Sequence, residues 1–168
     1  MRLIKKNMAY LFYFLINTFR LIQRRAQIKV TFPLIWANTC CSHPLNIDEN
    51  SPENINNALV KRIKYELGID TDKNMYKLFD KILYRAPSND TYEEFEIDYL
   101  FIAKFDRDSE DDEFKYSKNN LKKIINKDEV DDIKFETIEN ILKDIDLHPD
   151  YYSPWFKNYY EKQRKIYE

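Results

Sequence analysis

The sequence predicts an α+β domain, a mixed β-sheet packed between α-helices, and three observations carry that prediction. Asn7 to Arg25 is rich in aromatic and branched side chains with a polar break at Asn17 and Thr18, the pattern of a hairpin. Ile55, Leu59, Ile63 and Leu67 recur every four residues, as one buried stripe of a helix does. FEIDYLFIAKF, Phe95 to Phe105, is a long strand-like run between helical patterns, so strands and helices alternate irregularly along the chain.

Taken in order, MRLIKKNMAYLFYFLIN imitates a secretory leader, with Arg2, Lys5 and Lys6 ahead of an apolar run from Met8 to Ile16. The run is too short to span a bilayer and no small-residue cleavage site follows it, so it reads as a buried strand paired with RLIQRR. A loop through Lys29 and Pro33 leads to an extended segment from Trp36 to His43. Ser51 is placed to cap a helix with Pro52 at its first position, and Gly68, the single glycine of the chain, stands where that helix ends. Lys81 to Arg85 is strand-like, and the acidic, polar stretch from Asp106 to Asn120 reads as an exposed loop. Val130 to Phe135 gives another strand. Ile138, Ile141, Leu142 and Ile145 mark a short amphipathic helix, and Pro154 opens a final one toward Tyr167.

Length and charge bound the function. With 168 residues, 43% hydrophobic and 15% aromatic, the chain suits a single domain over residues 1–168. Twenty-nine acidic against 27 basic residues leave a charge of -2, which removes any general argument for nucleic acid or an anionic membrane as partner. Two cysteines and no export signal point to the cytoplasm.

Both cysteines lie in NTCCSHP, Asn38 to Pro44, two residues before one of only two histidines. Neighbouring cysteines on extended backbone point to opposite faces, so they do not bridge each other, whereas Cys41 and His43 share a face. In EEFEID, Glu94, Glu96 and Asp98 sit two apart and project from one face of a strand. Three like charges there are costly unless water, cations or a metal offset them. The bland reading is a solvent-facing strand; beside His43, imidazole and carboxylates make a ligand set for a divalent ion. Arg25, Lys29 and Arg62 form a basic group, and Glu66 follows Arg62 by one helical turn, a pairing suited to a phosphate and its magnesium.

Through QRRAQIKVTFPLIWANTCCSHP, VKRIKYELGI, YRA, EEFEIDYL and SPWF, in that order, the chain resembles the type 1 isopentenyl diphosphate isomerases of the Nudix superfamily. The resemblance runs from about Met8 to Phe156 and implies a Nudix-like sheet between helices. It also implies roles. Cys41 falls at the catalytic thiol, Glu96 at the catalytic carboxylate, Tyr84 at the tyrosine supporting it, and Trp155 at the aromatic residue facing the cationic carbon. His43, Glu94 and Glu96 match metal ligands, and Glu66 matches the carboxylate for the Mg²⁺ that accompanies the diphosphate. Arg25, Lys29 and Arg62 match the cations that hold that diphosphate. The implied partner is a small isoprenoid diphosphate, handled by a monomer.

Moving a double bond needs one proton added and another removed two carbons away, with a tertiary cationic state between. General acid and base groups supply about 10² to 10⁴ in rate. An aromatic face adds about 2 kcal/mol for a desolvated cation. A thiol suits the exchange because its reference pKa of about 8.5 keeps both forms accessible. Cys40, on the opposite face, reads as a packing residue.

The chain also departs from the family pattern. Only His43 of three metal histidines is in place; Asn7 stands at the second, and the third falls before Met1, as do the first strand and a diphosphate-binding lysine. His148, in a late polar segment, is a poor substitute. Mg²⁺ or Mn²⁺ suits the surviving ligands better than Zn²⁺. The glycine after Pro33 is replaced by Leu34, which is expected to alter the backbone near Trp36. Two other functions stay open: an impaired relative that binds isoprenoid diphosphates or a protein partner, and a Nudix pyrophosphohydrolase. Against the latter, KRIKYELG keeps Glu66 alone of the hydrolases' helical glutamates.

Overall fold

The structure is a computed structural model that describes residues 3–16, 18–43, 46–48, 51–52, 55–105 and 117–167. Its strands are β1 (Leu3–Ile16), β2 (Phe19–Arg25), β3 (Trp36–Ala37), β4 (Cys40–Ser42), β5 (Asn46–Asp48), β6 (Ser51–Pro52), β7 (Lys77–Pro87), β8 (Tyr92–Phe105) and β9 (Val130–Thr137). Its helices are α1 (Ile55–Leu67), α2 (Lys118–Ile124), α3 (Ile138–Leu147) and α4 (Pro154–Tyr167).

The predicted hairpin forms, but β1 and β2 pair only from Phe14–Ile16 to Phe19–Leu21 and then diverge. The chain after the loop crosses that fork. Trp36 and Ala37 pair with β2 at Arg24 and Gln23, and Cys40 to Ser42 pair with β1 at Phe12 to Tyr10. On its other edge β1 runs parallel to β8 for its whole length, β8 is antiparallel to β7, and β9 is antiparallel to β2. The sheet is therefore mixed, in the order β3-β2-β1-β8-β7 with β4 and β9 attached to β1 and β2.

Alternation along these strands divides the core in two. Leu21, Cys40 and Phe101 face α1 and α2, packing with Leu59, Ile63, Leu67 and Leu121. Ile22, Tyr84 and Leu100 face α3 and α4, packing with Ile141, Ile145, Trp155 and Phe156. The sheet thus lies between helical layers, as the sequence predicts. Full burial of side chains such as Leu59 and Ile63 contributes roughly 1.5–3 kcal/mol each. Ala9, Leu11 and Tyr13 are buried at alternate positions of the apolar first run, which is a core strand.

Some boundaries differ from expectation. Ser51 and Pro52 do not open α1: they pair with Asp48 and Asn46 in a two-stranded ribbon, because a residue before proline favours extended backbone, and the helix starts at Ile55. The extended Trp36–His43 segment is broken at Asn38 and Thr39, where it passes from β2 to β1. Of the loop expected from Asp106 to Asn120, residues 106–116 lie outside the described residues. Lys118 to Asn120 are helical, with the Ser117 hydroxyl accepting from the Asn120 N–H and burial of Leu121 and Ile125 holding the turn in place.

Backbone with positive φ occurs where the chain turns toward the fork. Leu34, at φ 57°, stands in the left-handed region that favours glycine, at the position where the sequence departs from the family's glycine. For a residue with a Cβ this costs roughly 1–2 kcal/mol. The cost is met locally: Arg25 N–H donates to the Ile35 carbonyl at 3.0 Å and Leu34 N–H to the Arg25 carbonyl at 3.1 Å.

Gly68, at φ 68°, ends α1 as predicted, its N–H donating to the Lys64 carbonyl at 3.0 Å. A Cβ there would meet the Ile124 carbonyl and side chain at 3.1 Å. Gly68→Ala is expected to lower stability by about 1–3 kcal/mol in urea unfolding. A second prediction concerns acid. The Tyr152 hydroxyl, followed by Lys134, holds the Asp144 carboxyl below its ordinary range against the effect of burial. A folded-state pKa below the unfolded value of about 3.9 contributes stability above that pH, and the contribution is lost as pH falls through the folded value. Asp144→Asn should therefore be less stable than the parent at neutral pH and lose less below pH of about 4 in parallel melts.

Candidate active site

The fork opens onto a cavity of about 500 Å³, and the ten residues to which the resemblance gives catalytic, metal or diphosphate roles line it, whereas Asp98 does not. They come from six places: Arg25 at the end of β2, Lys29 in the following loop, Cys41 and His43 at β4, Arg62 and Glu66 on α1, Tyr84, Glu94 and Glu96 on the paired strands β7 and β8, and Trp155 on α4.

At one end are the groups suited to proton transfer. Cys41 and Glu96 stand on strands that flank β1, and both face the cavity. His43 Nε2 lies 3.0 Å from Glu96 Oε1. The Tyr84 hydroxyl donates to Glu94 Oε2 at 2.5 Å and lies 3.2 Å from Glu96 Oε2, so one phenol ties the two carboxylates together. Tyr84 and Trp155 rings are 5.6 Å apart, and the Arg25 guanidinium sits 5.6 Å from the indole. Cys40 points the other way, fully buried under α1, and neither cysteine is bridged. Burial first, then Asp98 and Glu96, push the Cys41 thiol well up against the pull of Arg25, which favours the thiol over the thiolate that its reference value alone would keep accessible.

At the other end the cations meet carboxylates. Arg62 Nε donates to Glu66 Oε1 at 2.6 Å, and its Nη2 to Glu129 Oε2 at 2.7 Å. Lys29 Nζ donates to the same Glu129 oxygen at 2.5 Å. Arg25 instead donates to the Phe32 and Thr31 carbonyls, each at 3.0 Å.

The donor chemistry here fits a divalent cation. Glu94, Glu96 and Asp98 are buried on one strand face, and both Asp98 oxygens lack a hydrogen-bond partner among the described residues. Burial, then Glu96 and Glu94, push Asp98 up to about 8. Such a cluster calls for positive charge. Among the described residues, however, no three histidine, cysteine or acidic groups already converge as ligands, since the inner carboxylates are turned to Tyr84 and His43. Asn7 pairs with Glu96 in the β1–β8 register, and His148 stacks on Tyr151 instead of facing the cavity.

Sequence reasoning missed the residues that set this geometry. Asn38, fully buried in the fork, accepts from the Trp155 indole N–H at 2.9 Å and donates to the Cys40 carbonyl at 2.5 Å. The Thr39 hydroxyl donates to the Leu21 carbonyl at 2.5 Å, and Gln23 Nε2 donates to Glu66 Oε2 at 2.9 Å. Their presence in NTCC and QRR was the available signal, since polar residues at core positions need partners.

The fold is the Nudix fold. The MutT protein of Methanosarcina mazei superposes with a TM-score of 0.62 over 97% of this chain and 96% of that one, at 10% identity. The Nudix domain of Shewanella oneidensis NrtR gives 0.59 over 98% and 90%, at 9% identity. In sequence, the chain is a relative of the isopentenyl-diphosphate delta-isomerases, as its motifs indicate. It is 35% identical over 147 residues to that of Gibberella zeae and 34% over 148 to that of Schizosaccharomyces pombe, 82% of this chain in each case. A chloroplastic isopentenyl-diphosphate delta-isomerase of Arabidopsis thaliana is 34% identical over 149 residues. The matches cover 53%, 58% and 46% of those proteins, so the chain spans about half the length of the curated relatives it matches. No protein-family model matches the chain.

Asn38→Ala would leave the buried indole N–H of Trp155 without its acceptor. A loss of roughly 1–3 kcal/mol is expected in urea unfolding, with a shifted tryptophan emission in the folded state.

Proposed function

We propose that this chain interconverts isopentenyl and dimethylallyl diphosphate by moving a proton onto one end of the allylic unit and another off its far end. The observation that carries the reading is the meeting of Cys41, Glu96, Tyr84, Trp155 and the cations Arg25, Lys29 and Arg62 around one cavity, in a relative of the isomerases.

The reaction adds H⁺ to the terminal methylene carbon, leaving a positive charge on the branched carbon. Loss of H⁺ from the carbon next to the diphosphate-bearing methylene then re-forms the double bond, so no net charge or electron is exchanged. Cys41 and Glu96 act as this pair, each donor in one direction and acceptor in the other. Tyr84 orients the Glu96 carboxyl by its hydrogen bond. In this reading the Trp155 face stabilises the cationic carbon, and its packing against Phe32 and Tyr84 supplies an apolar wall on that side of the cavity. Arg25, Lys29 and Arg62 hold the diphosphate end and so fix the alkene between the two proton groups.

Mg²⁺, or Mn²⁺ or Zn²⁺ in its place, would be held by His43, Glu94 and Glu96, with a Mg²⁺ at Glu66, and would supply charge neutralisation of carboxylates and diphosphate. The proposed unit is a monomer. Its proposed location is the cytoplasm, where two free thiols stay reduced. A small molecule, not nucleic acid or membrane, is the proposed partner. Among the described residues no helix is long and apolar enough to cross a membrane.

Incubation with isopentenyl diphosphate and Mg²⁺ in deuterated water should give labelled dimethylallyl diphosphate. Cys41→Ala should abolish exchange by at least about 10³-fold with the melting temperature kept, while Cys40→Ala should retain it. Inorganic phosphate release would replace this reading with a hydrolase; folded, Mg²⁺-supplied protein with neither product nor exchange would leave a binding module.

A further inference from the structure

Glu129 has no role in the proton chemistry, yet it is the point where two of the three ligand-facing cations join. Lys29 comes from the loop after β2 and Arg62 from α1, elements with no strand pairing between them. Both donate to a single oxygen, Glu129 Oε2, at 2.5 and 2.7 Å. Two nitrogens sharing one oxygen can stand no farther apart than those distances combined. Without a carboxylate between them, like charge and the rotamer freedom of both long side chains would drive them apart.

The main chain that carries Glu129 is itself held by backbone bonds. The Ala26 N–H donates to the Glu129 carbonyl at 3.0 Å, and the Asn126 N–H donates to the Glu66 carbonyl at 2.8 Å. The turn before β9 is thereby fastened to β2 and to the end of α1, the two elements that bring the cations. Glu129 is also half-buried, with its side chain 15% exposed, and lines the cavity beside both cations.

From this geometry we infer that Glu129 is a positioning residue that converges Lys29 and Arg62 into a preformed clamp for a diphosphate, an inference that rests on the diphosphate-binding reading above. A carboxylate in an anion site opposes the anion by charge and favours it by organising the cations. The shared oxygen decides for organisation, because two adjacent cations meet a bidentate ligand without first losing their freedom. The clamp is specific to ligands with two neighbouring phosphoryl groups; a single phosphate needs only one cation.

The test is calorimetric binding of inorganic pyrophosphate and of orthophosphate, each with Mg²⁺, to the parent, Glu129→Gln and Glu129→Asp, together with isomerase kinetics and thermal melts. Glu129→Gln, which keeps shape and removes charge, should weaken pyrophosphate binding at least tenfold, leave orthophosphate within threefold, and raise KM for isopentenyl diphosphate with kcat within threefold. Glu129→Asp should recover part of the pyrophosphate affinity. In an Arg62→Ala background, Glu129→Gln should cost less than threefold. Equal or tighter pyrophosphate binding by Glu129→Gln, with the parent binding normally, overturns the positioning role alone and makes Glu129 a bystander or a competitor. Failure of the parent to bind pyrophosphate overturns both this role and the diphosphate reading.

Discussion

The structure depends on keeping three carboxyl groups out of water on one face of one strand. Glu94, Glu96 and Asp98 are 6%, 2% and 0% exposed. Two such charges 4 Å apart repel by about 4 kcal/mol at an effective dielectric of 20, and apolar residues in their place would serve stability better. The site offsets the load in three ways. Tyr84 bridges Glu94 and Glu96, His43 faces Glu96, and burial with the two glutamates pushes Asp98 up to about 8, which favours its neutral form. A residual need for positive charge remains, which is the physical argument for a cation there. Burial first, and then these same carboxylates, push the Cys41 thiol up, so the crowding of charge also bears on the group proposed for proton transfer.

That strand face becomes a cavity wall because the hairpin opens. Had β1 and β2 paired along their length, there would be no gap for β3 and β4, and NTCCSHP could not enter the sheet. Early divergence admits it, and Asn38 and Thr39 fix it by bonding to Trp155 and to the Leu21 carbonyl. Cys40 then points to the α1 side and Cys41 to the α4 side. Fold and chemistry are joined at this crossing, since the residues that close the sheet also set the indole.

What the sequence made legible follows from locality. Periodicity found α1 and α3, because their buried faces repeat at the spacing of the element itself, while Pro154 marked the start of α4 and a strand-like run marked β8. Alternation in NTCCSHP separated the two thiols correctly for the same reason. The resemblance assigned roles to ten residues that all line the cavity, although they lie on separate segments that no local pattern connects. What stayed hidden was non-local. Ser51 and Pro52 carry a helix-start signal that ribbon pairing overrides, and Lys118 to Asn120 are helical because residues after them bury. Glu129 and Gln23 are ordinary polar residues until Lys29, Arg62 and Glu66 are brought beside them. The pKa direction of Cys41 could not be read from spacing at all, because it is set by burial.

Arg25 shows how the strained loop and the site support one another. Leu34 and Phe32 both hold positive φ, a conformation that side chains disfavour, and the loop they shape presents Lys29 and Thr31 to the cavity. The Arg25 side chain fastens this loop through its bonds to the Thr31 and Phe32 carbonyls, while its guanidinium rests near the Trp155 ring. Those bonds use two of the five N–H donors of a guanidinium and leave the rest for an anion. An arginine already fixed by its loop loses little freedom when a ligand arrives, so the same bonds that hold the strained backbone also prepare the cation. Where glycine would hold this turn without strain, Leu34 makes the loop depend on Arg25, and loop order and the proposed anion binding rest on the same side chain.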